Sequence, residues 1–253
     1  MIKMILTDLD HTLLRQDGSI SSDTLKVIGK CRANGILFAI ATARYWIGAE
    51  RYIEMLRPDY EITTDGTLIH SKGKCIFSSE FTESETNEII NSIREAVPSA
   101  EITVAVGKCV YWNSKHISES EKLYKATYND YSSYLEAKAN KIVAGLPDET
   151  IARQIADKTG SILQSYRGEK WYAFLPKDSG KISAIRALIR LSSVSPGSIA
   201  AFGDDDNDIG MLKLCGKGIA VANAVPEVIR IADAVTLSND EDGVAKWLSD
   251  NCL

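Results

Sequence analysis

The chain lacks any long hydrophobic run. Its cleanest apolar stretches, such as Ile36 to Ala41, are far below the roughly 18 residues that a membrane-crossing helix needs. The first residues lack the extended apolar core of a secretory leader and meet an acid at Asp8. Cysteine is present without a pattern: Cys31, Cys75, Cys109, Cys215 and Cys252 are odd in number and contain no CxxC pair. This argues against a disulfide scaffold or a zinc site and fits reduced thiols in a cytoplasmic protein. Positive charge is in deficit, with 29 Lys and Arg against 34 Asp and Glu, a net charge of −5. Nucleic acid and anionic membranes call for a basic face, so neither is an expected partner. An anionic substrate would need positive charge brought in from elsewhere. No internal repeat is visible, and nothing bears on the oligomeric state.

What is present is the composition of an ordinary globular protein, 45% apolar and 25% charged. The 253 residues fall between one and two domains of roughly 150 residues each. Both ends of the chain alternate short apolar runs with helical patterns. Ile2 to Thr7, Ile36 to Ala41, Tyr60 to Thr63, Ser198 to Phe202, Gly218 to Ala222 and Asp233 to Leu237 read as strands. Helices are expected over Ser21 to Asn34, Gly48 to Leu56, Lys181 to Leu191, Ile209 to Leu214 and Asp240 to Leu248, with Pro226 opening another. Apolar strands alternating with helices predict a doubly wound α/β core, a Rossmann-like parallel sheet covered on both faces. The middle differs. Glu83 to Ala96 and Glu149 to Lys158 read as helices. Glu101 to Val106, Cys109 to Trp112, Lys141 to Ala144 and Trp171 to Leu175 read as strands. The expected organisation is a core of residues 1–80 and 176–253 interrupted by an α+β segment of residues 81–175.

Three core strands end in a polar group: Asp8, Thr42 and Asp204. Open parallel sheets bind ligands beyond the carboxyl ends of their strands, so adjacent strands would bring Asp8, Asp10, Thr42, Asp204 and Asp208 to one crevice. On a continuing strand Asp8 and Asp10 would share a face. Asp8, Asp10, Asp204, Asp205, Asp206 and Asp208 would repel one another there and call for a divalent cation. Few hard oxygen ligands point to Mg²⁺, a cation often shared with a substrate phosphate. Lys181, opening a helix, is a second counter-charge. A calcium loop from Asp204 is excluded, because its sixth and twelfth places hold Ile209 and Cys215 in place of Gly and Glu. Asp205 and Asp206 read as helix-start charges. Gly216-Lys217-Gly218 precedes a strand and lacks the third glycine of a dinucleotide fingerprint.

Asp8-Leu9-Asp10-His11-Thr12-Leu13-Leu14 resembles the first motif of the haloacid dehalogenase superfamily of phosphohydrolases. Thr42, Lys181 and Gly203-Asp204-Asp205-Asp206-Asn207-Asp208 resemble its second, third and fourth motifs, in order. Gly218 to Ala224 and Asn239 to Val244 are similar to the Cof-like subfamily, subclass IIB, which inserts a type C2 α+β cap between the second and third motifs. The resemblance implies a Mg²⁺-dependent phosphatase acting on a small phosphorylated metabolite, with a sugar phosphate foremost. Asp8 would be the nucleophile and Asp10 the general acid and base. Asp8, Asp10 through its backbone carbonyl, Asp204 and Asp208 would serve the metal. Thr42, Lys181 and backbone groups near Leu9 and Ala43, with Asn207, would hold the phosphate. Arg44 and Arg167 are candidate substrate contacts. The same motifs serve a phosphomutase or phosphotransferase, and a non-catalytic metabolite sensor could keep the fold. Two positions depart from the family: Ala43 stands where Gly is frequent, and Asp65 stands where Asn is frequent, adding a negative charge near the crevice. Tyr111, Trp112, Trp171 and Tyr172 read as the interior of the inserted segment; His11, close to Asp8, reads either as a substrate contact or as a side chain pointing away, and His70 and His116 have no identifiable partners.

Overall fold

The computed structural model describes residues 1–115 and 125–253. His116 lies outside the described residues. The chain begins β1 (Met4–Thr7), α1 (Ser22–Ala33), β2 (Leu37–Ala41), α2 (Trp46–Leu56) and β3 (Tyr60–Thr63). Helix α1 starts where the Ser21 side chain accepts from the Thr24 amide and stops before Gly35, whose φ of 82° ends the helical path. A hairpin follows, β4 (Leu68–Ser71) and β5 (Lys74–Ser78). After the inserted segment the core resumes with α5 (Lys181–Ser192), β12 (Ile199–Gly203), α6 (Ile209–Leu214), β13 (Lys217–Ala220), α7 (Pro226–Ile231), β14 (Ala234–Val235) and α8 (Gly243–Cys252).

These strands form one eight-stranded sheet in the order β14-β13-β12-β1-β2-β3-β4-β5. The strands from β14 to β3 are parallel, while β4 and β5 pair antiparallel at the edge. The hairpin departs from a purely parallel sheet. Its strands are short, and β5 is exposed along nearly its whole length, so it carries no apolar run to announce it. The central strands are buried throughout, with Ile5, Leu6, Phe38, Ile40, Ala201 and Phe202 at 0% exposure. That burial explains their unbroken apolar text.

The inserted segment forms a separate layer. It comprises α3 (Glu83–Ala96), β6 (Ile102–Val106), β7 (Cys109–Trp112), β8 (Thr127–Tyr128), β9 (Lys141–Gly145), α4 (Glu149–Thr159), β10 (Ile162–Ser165) and β11 (Trp171–Leu175). Its strands form a second, six-stranded sheet in the order β10-β11-β9-β6-β7-β8. One face packs on α3 and α4 through Ile89, Ile93, Val104, Ile142, Ile155 and Phe174. The other face, including Ala105, Val110, Val143 and Leu175, gathers around Tyr45 of the core. The second sheet therefore lies over the region where the parallel strands end. No helix among the described residues is long and apolar enough to cross a membrane.

Candidate active site

Strand β1 lies between β12 and β2, so Asp8, Asp204 and Thr42 follow three neighbouring strands. The Asp8 amide continues the ladder by donating to the Phe202 carbonyl at 3.0 Å. The strand then stops. Leu9–Leu13 curls into a wide turn closed by the Leu14 amide on the Leu9 carbonyl at 2.8 Å, with His11 at a φ of 57°. Asp8 and Asp10 thus do not share a strand face, as a continuing strand would require. The turn itself directs both toward one cavity while burying Leu9, Thr12 and Leu13.

At the base of this cavity the Lys181 ammonium donates to Asp8 Oδ1 and to Asp208 Oδ1, both at 2.7 Å. Asp208 is fully buried, and its other oxygen accepts the Asp204 amide at 3.1 Å. Gly203 makes this approach possible, since a Cβ there would meet Asp208 Cβ at 2.5 Å. The Thr12 hydroxyl donates to Asp204 Oδ1 at 2.6 Å. Burial raises the Asp8 carboxyl well above its ordinary range; Lys181 opposes this, and Asp208, Asp204 and Asp10 add to it. Burial likewise lifts Asp204 to about 6, against the Thr12 hydrogen bond. For Lys181, burial works against the charge, but Asp208 and Asp8 outweigh it and hold the amine protonated.

Carboxylate oxygens of Asp8, Asp204 and Asp208 lie within 4.8 Å of one another. One lysine bridges two of these three acids, and the raised Asp8 and Asp204 leave negative charge to be neutralised. An all-oxygen donor set of this kind fits Mg²⁺. The Asp10 carboxylate is outside that group. Arg44 forks onto it, Nε to Oδ2 at 2.7 Å and Nη2 to Oδ1 at 2.6 Å. The Arg44 amide donates to the Thr42 hydroxyl at 3.1 Å, so one turn at the end of β2 carries both side chains.

The cavity above these groups measures about 540 Å³. Ala43, Arg44 and Asn207 line it from the core, and Arg167 lines it from the inserted segment. Leu9 and Thr42 are buried behind its wall. The aromatic residues of the inserted segment divide. Tyr172 belongs to the interior packed on the helices and Tyr111 packs against it, but Trp112 and Trp171 line the cavity. They look inward because Trp112 pairs with Thr103 in β6 and shares the face that the helices do not cover. The Trp112 Nε1 is buried with no acceptor among the described residues. His11 lines the cavity, whereas His70 is buried beside Trp46, where burial lowers its pKa.

Residues outside the expected site contribute as well, two of them in the segments similar to the Cof-like subfamily. Asn223 Nδ2 donates to the His11 carbonyl at 2.7 Å, and Asn239 Nδ2 to the Leu14 carbonyl at 2.8 Å. The two C-terminal segments therefore clamp the turn that holds Asp10. Asp65 receives Lys141 and Tyr166 from the inserted segment.

A parallel sheet with acids at two neighbouring strand ends and a threonine at a third, a lysine bridging Asp8 and Asp208, and an α+β layer above defines a class of phosphate-handling hydrolase. Residues 5–248 match the haloacid dehalogenase-like hydrolases, and the chain belongs to that family. It is a phosphatase of this superfamily. The 5-amino-6-(5-phospho-D-ribitylamino)uracil phosphatase YitU of Bacillus subtilis is 26% identical, the match covering 98% of this chain and 96% of that one. A haloacid dehalogenase-like hydrolase of Bacteroides thetaiotaomicron shares the fold with a TM-score of 0.84 at 21% identity, over 99% of each chain. A sugar phosphatase of subclass IIB also has a TM-score of 0.84, at 19% identity and over 98% of each chain.

Proposed function

We propose that the chain hydrolyses a small phosphorylated metabolite, foremost a sugar phosphate, through a phosphoryl group carried on Asp8. The observation that carries this reading is the Asp8 carboxylate in the cavity wall, with Oδ1 held by Lys181 at 2.7 Å and with Asp10 and Asp204 lining the same cavity. An Asp8 oxygen attacks phosphorus, the ester P–O bond breaks, and Asp10 donates a proton to the departing alcohol. Asp10 then removes a proton from water. That water attacks the phosphorus of the aspartyl-phosphate, releasing inorganic phosphate and the Asp8 carboxylate. Lys181, the Thr42 hydroxyl, backbone groups at Leu9 and Ala43, and Asn207 hold the phosphoryl oxygens. Asp8, the Asp10 carbonyl, Asp204 and Asp208 are the residues that would hold Mg²⁺, which when bound supplies positive charge to the phosphoryl group.

Residues 1–80 and 176–253 then act as the catalytic core and residues 81–175 as a cap that selects the leaving group. A sugar alcohol is favoured because the cap side of the cavity offers the Arg167 and Glu169 side chains and the Trp171 ring. Five unpaired thiols support a cytoplasmic setting. The test is phosphate release from a panel of phosphorylated metabolites with Mg²⁺. Asp8→Asn is expected to lower release to background while its thermal unfolding stays cooperative. Sustained turnover by clean Asp8→Asn protein would overturn the nucleophile assignment, and an isomerised product without free phosphate would make the enzyme a mutase.

A further inference from the structure

A buried ion pair joins the inserted segment to the core. Lys141 opens β9 and is 4% exposed; Asp65, in the turn after β3, is 3% exposed; their charged atoms are 2.5 Å apart. Tyr166, also from the inserted segment, donates its hydroxyl to Asp65 Oδ2 at 2.6 Å. The Lys141 ammonium lies 4.9 Å from the Tyr45 ring centre and 5.1 Å from that of Tyr166, so aromatic faces complete its surroundings. It also donates to the Ala43 carbonyl at 3.1 Å.

The turn presenting Asp65 is strained and braced. Thr64 has a φ of 57° and Asp65 of 54°, and a β-branched residue rarely adopts the left-handed region. Gly66, at a φ of 84°, packs so closely that a Cβ would meet the Gly180 carbonyl at 2.5 Å. Asp65 is therefore held from the core side, next to the start of the helix that carries Lys181. Lys141 and Tyr166, which meet it, both come from the inserted segment.

A buried pair resists the loss of either member, because the remaining charge is left without water or counter-charge. When the members sit on two different sheets, separating the sheets hydrates both. The pair then matters only when the inserted sheet lies on the core. Lys141 acts at a second point in that state: its bond to Ala43 fixes the turn carrying the Thr42 hydroxyl and the Arg44 side chain that forks onto Asp10. We propose that Lys141 and Asp65 form the latch that holds the inserted sheet closed, and that Lys141 is a positioning residue for the chemistry beneath it. The kinetic part of this rests on the phosphatase reading; the structural part does not.

Lys141→Met, Asp65→Asn and the double variant, each as the full chain, separate the possibilities. Each single variant leaves one charge unpaired in the closed form, so small-angle scattering should report a larger radius of gyration than for the unaltered protein. With p-nitrophenyl phosphate as probe, kcat/KM should fall about 10- to 100-fold in each, below the full effect of stranding a buried charge because opening hydrates it. The double variant leaves no stranded charge. It should return to the compact radius and recover to within about tenfold of the parent, the remainder reflecting the lost bond to Ala43. Single variants as compact as the parent would overturn the latch, as would a double variant in which the two losses multiply. Should Lys141→Met unfold, the isosteric Asp65→Asn decides by the same scattering criterion. A parent chain that releases no phosphate from any ester would defeat the phosphatase reading and leave the scattering comparison in force.

Discussion

Burial at the end of β12 holds the Asp204 carboxyl at about 6, above the ordinary carboxylate value of about 3.9. The metal-free fold therefore binds a proton that the unfolded chain has already released between these limits. Its contribution to stability is present below about pH 4 and is lost as pH rises through about 6. Asp8 is shifted in the same direction. A cation bound at Asp8, Asp204 and Asp208 would compete with these protons. Thermal unfolding should show Mg²⁺ raising Tm little at about pH 5 and by about 5 °C or more at about pH 7.5, with Mg²⁺ near a hundredfold above its Kd. An equal rise at both pH values would argue against the carboxylates as its ligands. Arg44 makes a different prediction. Its planar fork holds both Asp10 oxygens, and a lysine keeps the charge without that geometry. Arg44→Lys should lower kcat/KM about tenfold on p-nitrophenyl phosphate, with little change in Tm.

At the scale of elements, the crevice was legible because three buried strands are written as apolar runs that each end in a polar group: Asp8, Thr42 and Asp204. The strand order brings those ends together. The turn at Leu9–Leu13 was not legible, since nothing in Leu9-Asp10-His11-Thr12 distinguishes a continuing strand from a wide turn closed on Leu9. Strands β4 and β5 escaped for local reasons too: β4 breaks its apolar text after Leu68-Ile69 with His70 and Ser71, and the edge strand β5 faces solvent. The turn between β3 and β4 also sets the position of α5. Gly66 meets Gly180 and the Lys181 amide there at distances a side chain cannot share. Gly66→Ala adds a clash to an unfavourable φ. It should destabilise the fold by about 2 kcal/mol or more and displace Lys181, so that denaturant midpoint and phosphate release fall together. A variant with native stability and activity would show that this contact does not set the helix start.

Across the whole molecule, the class of protein could be read from motifs, but the joint between its layers could not. Lys141 and Asp65 are far apart in sequence, and neither spacing nor periodicity pairs a strand-opening lysine with a turn aspartate. Asp65 looked like added repulsion beside an acidic crevice; the fold supplies its counter-ion from the other sheet. The aromatic residues followed similar logic, because only the sheet's uncovered face sends Trp112 and Trp171 toward the cavity. The acid excess takes on meaning at this scale too. Part of it is gathered in a buried cluster beside a single lysine, an arrangement suited to drawing in a cation with a phosphate. The central claim is that phosphorus passes through Asp8. Acid-quenched single turnover with the best substrate of the metabolite panel, followed by peptide mass mapping, tests it most directly. The account predicts one phosphoryl group on the peptide bearing Asp8, formed and lost at rates consistent with turnover. Phosphate released with no adduct on Asp8 at any time, or an adduct on another residue that turns over at the catalytic rate, would contradict it.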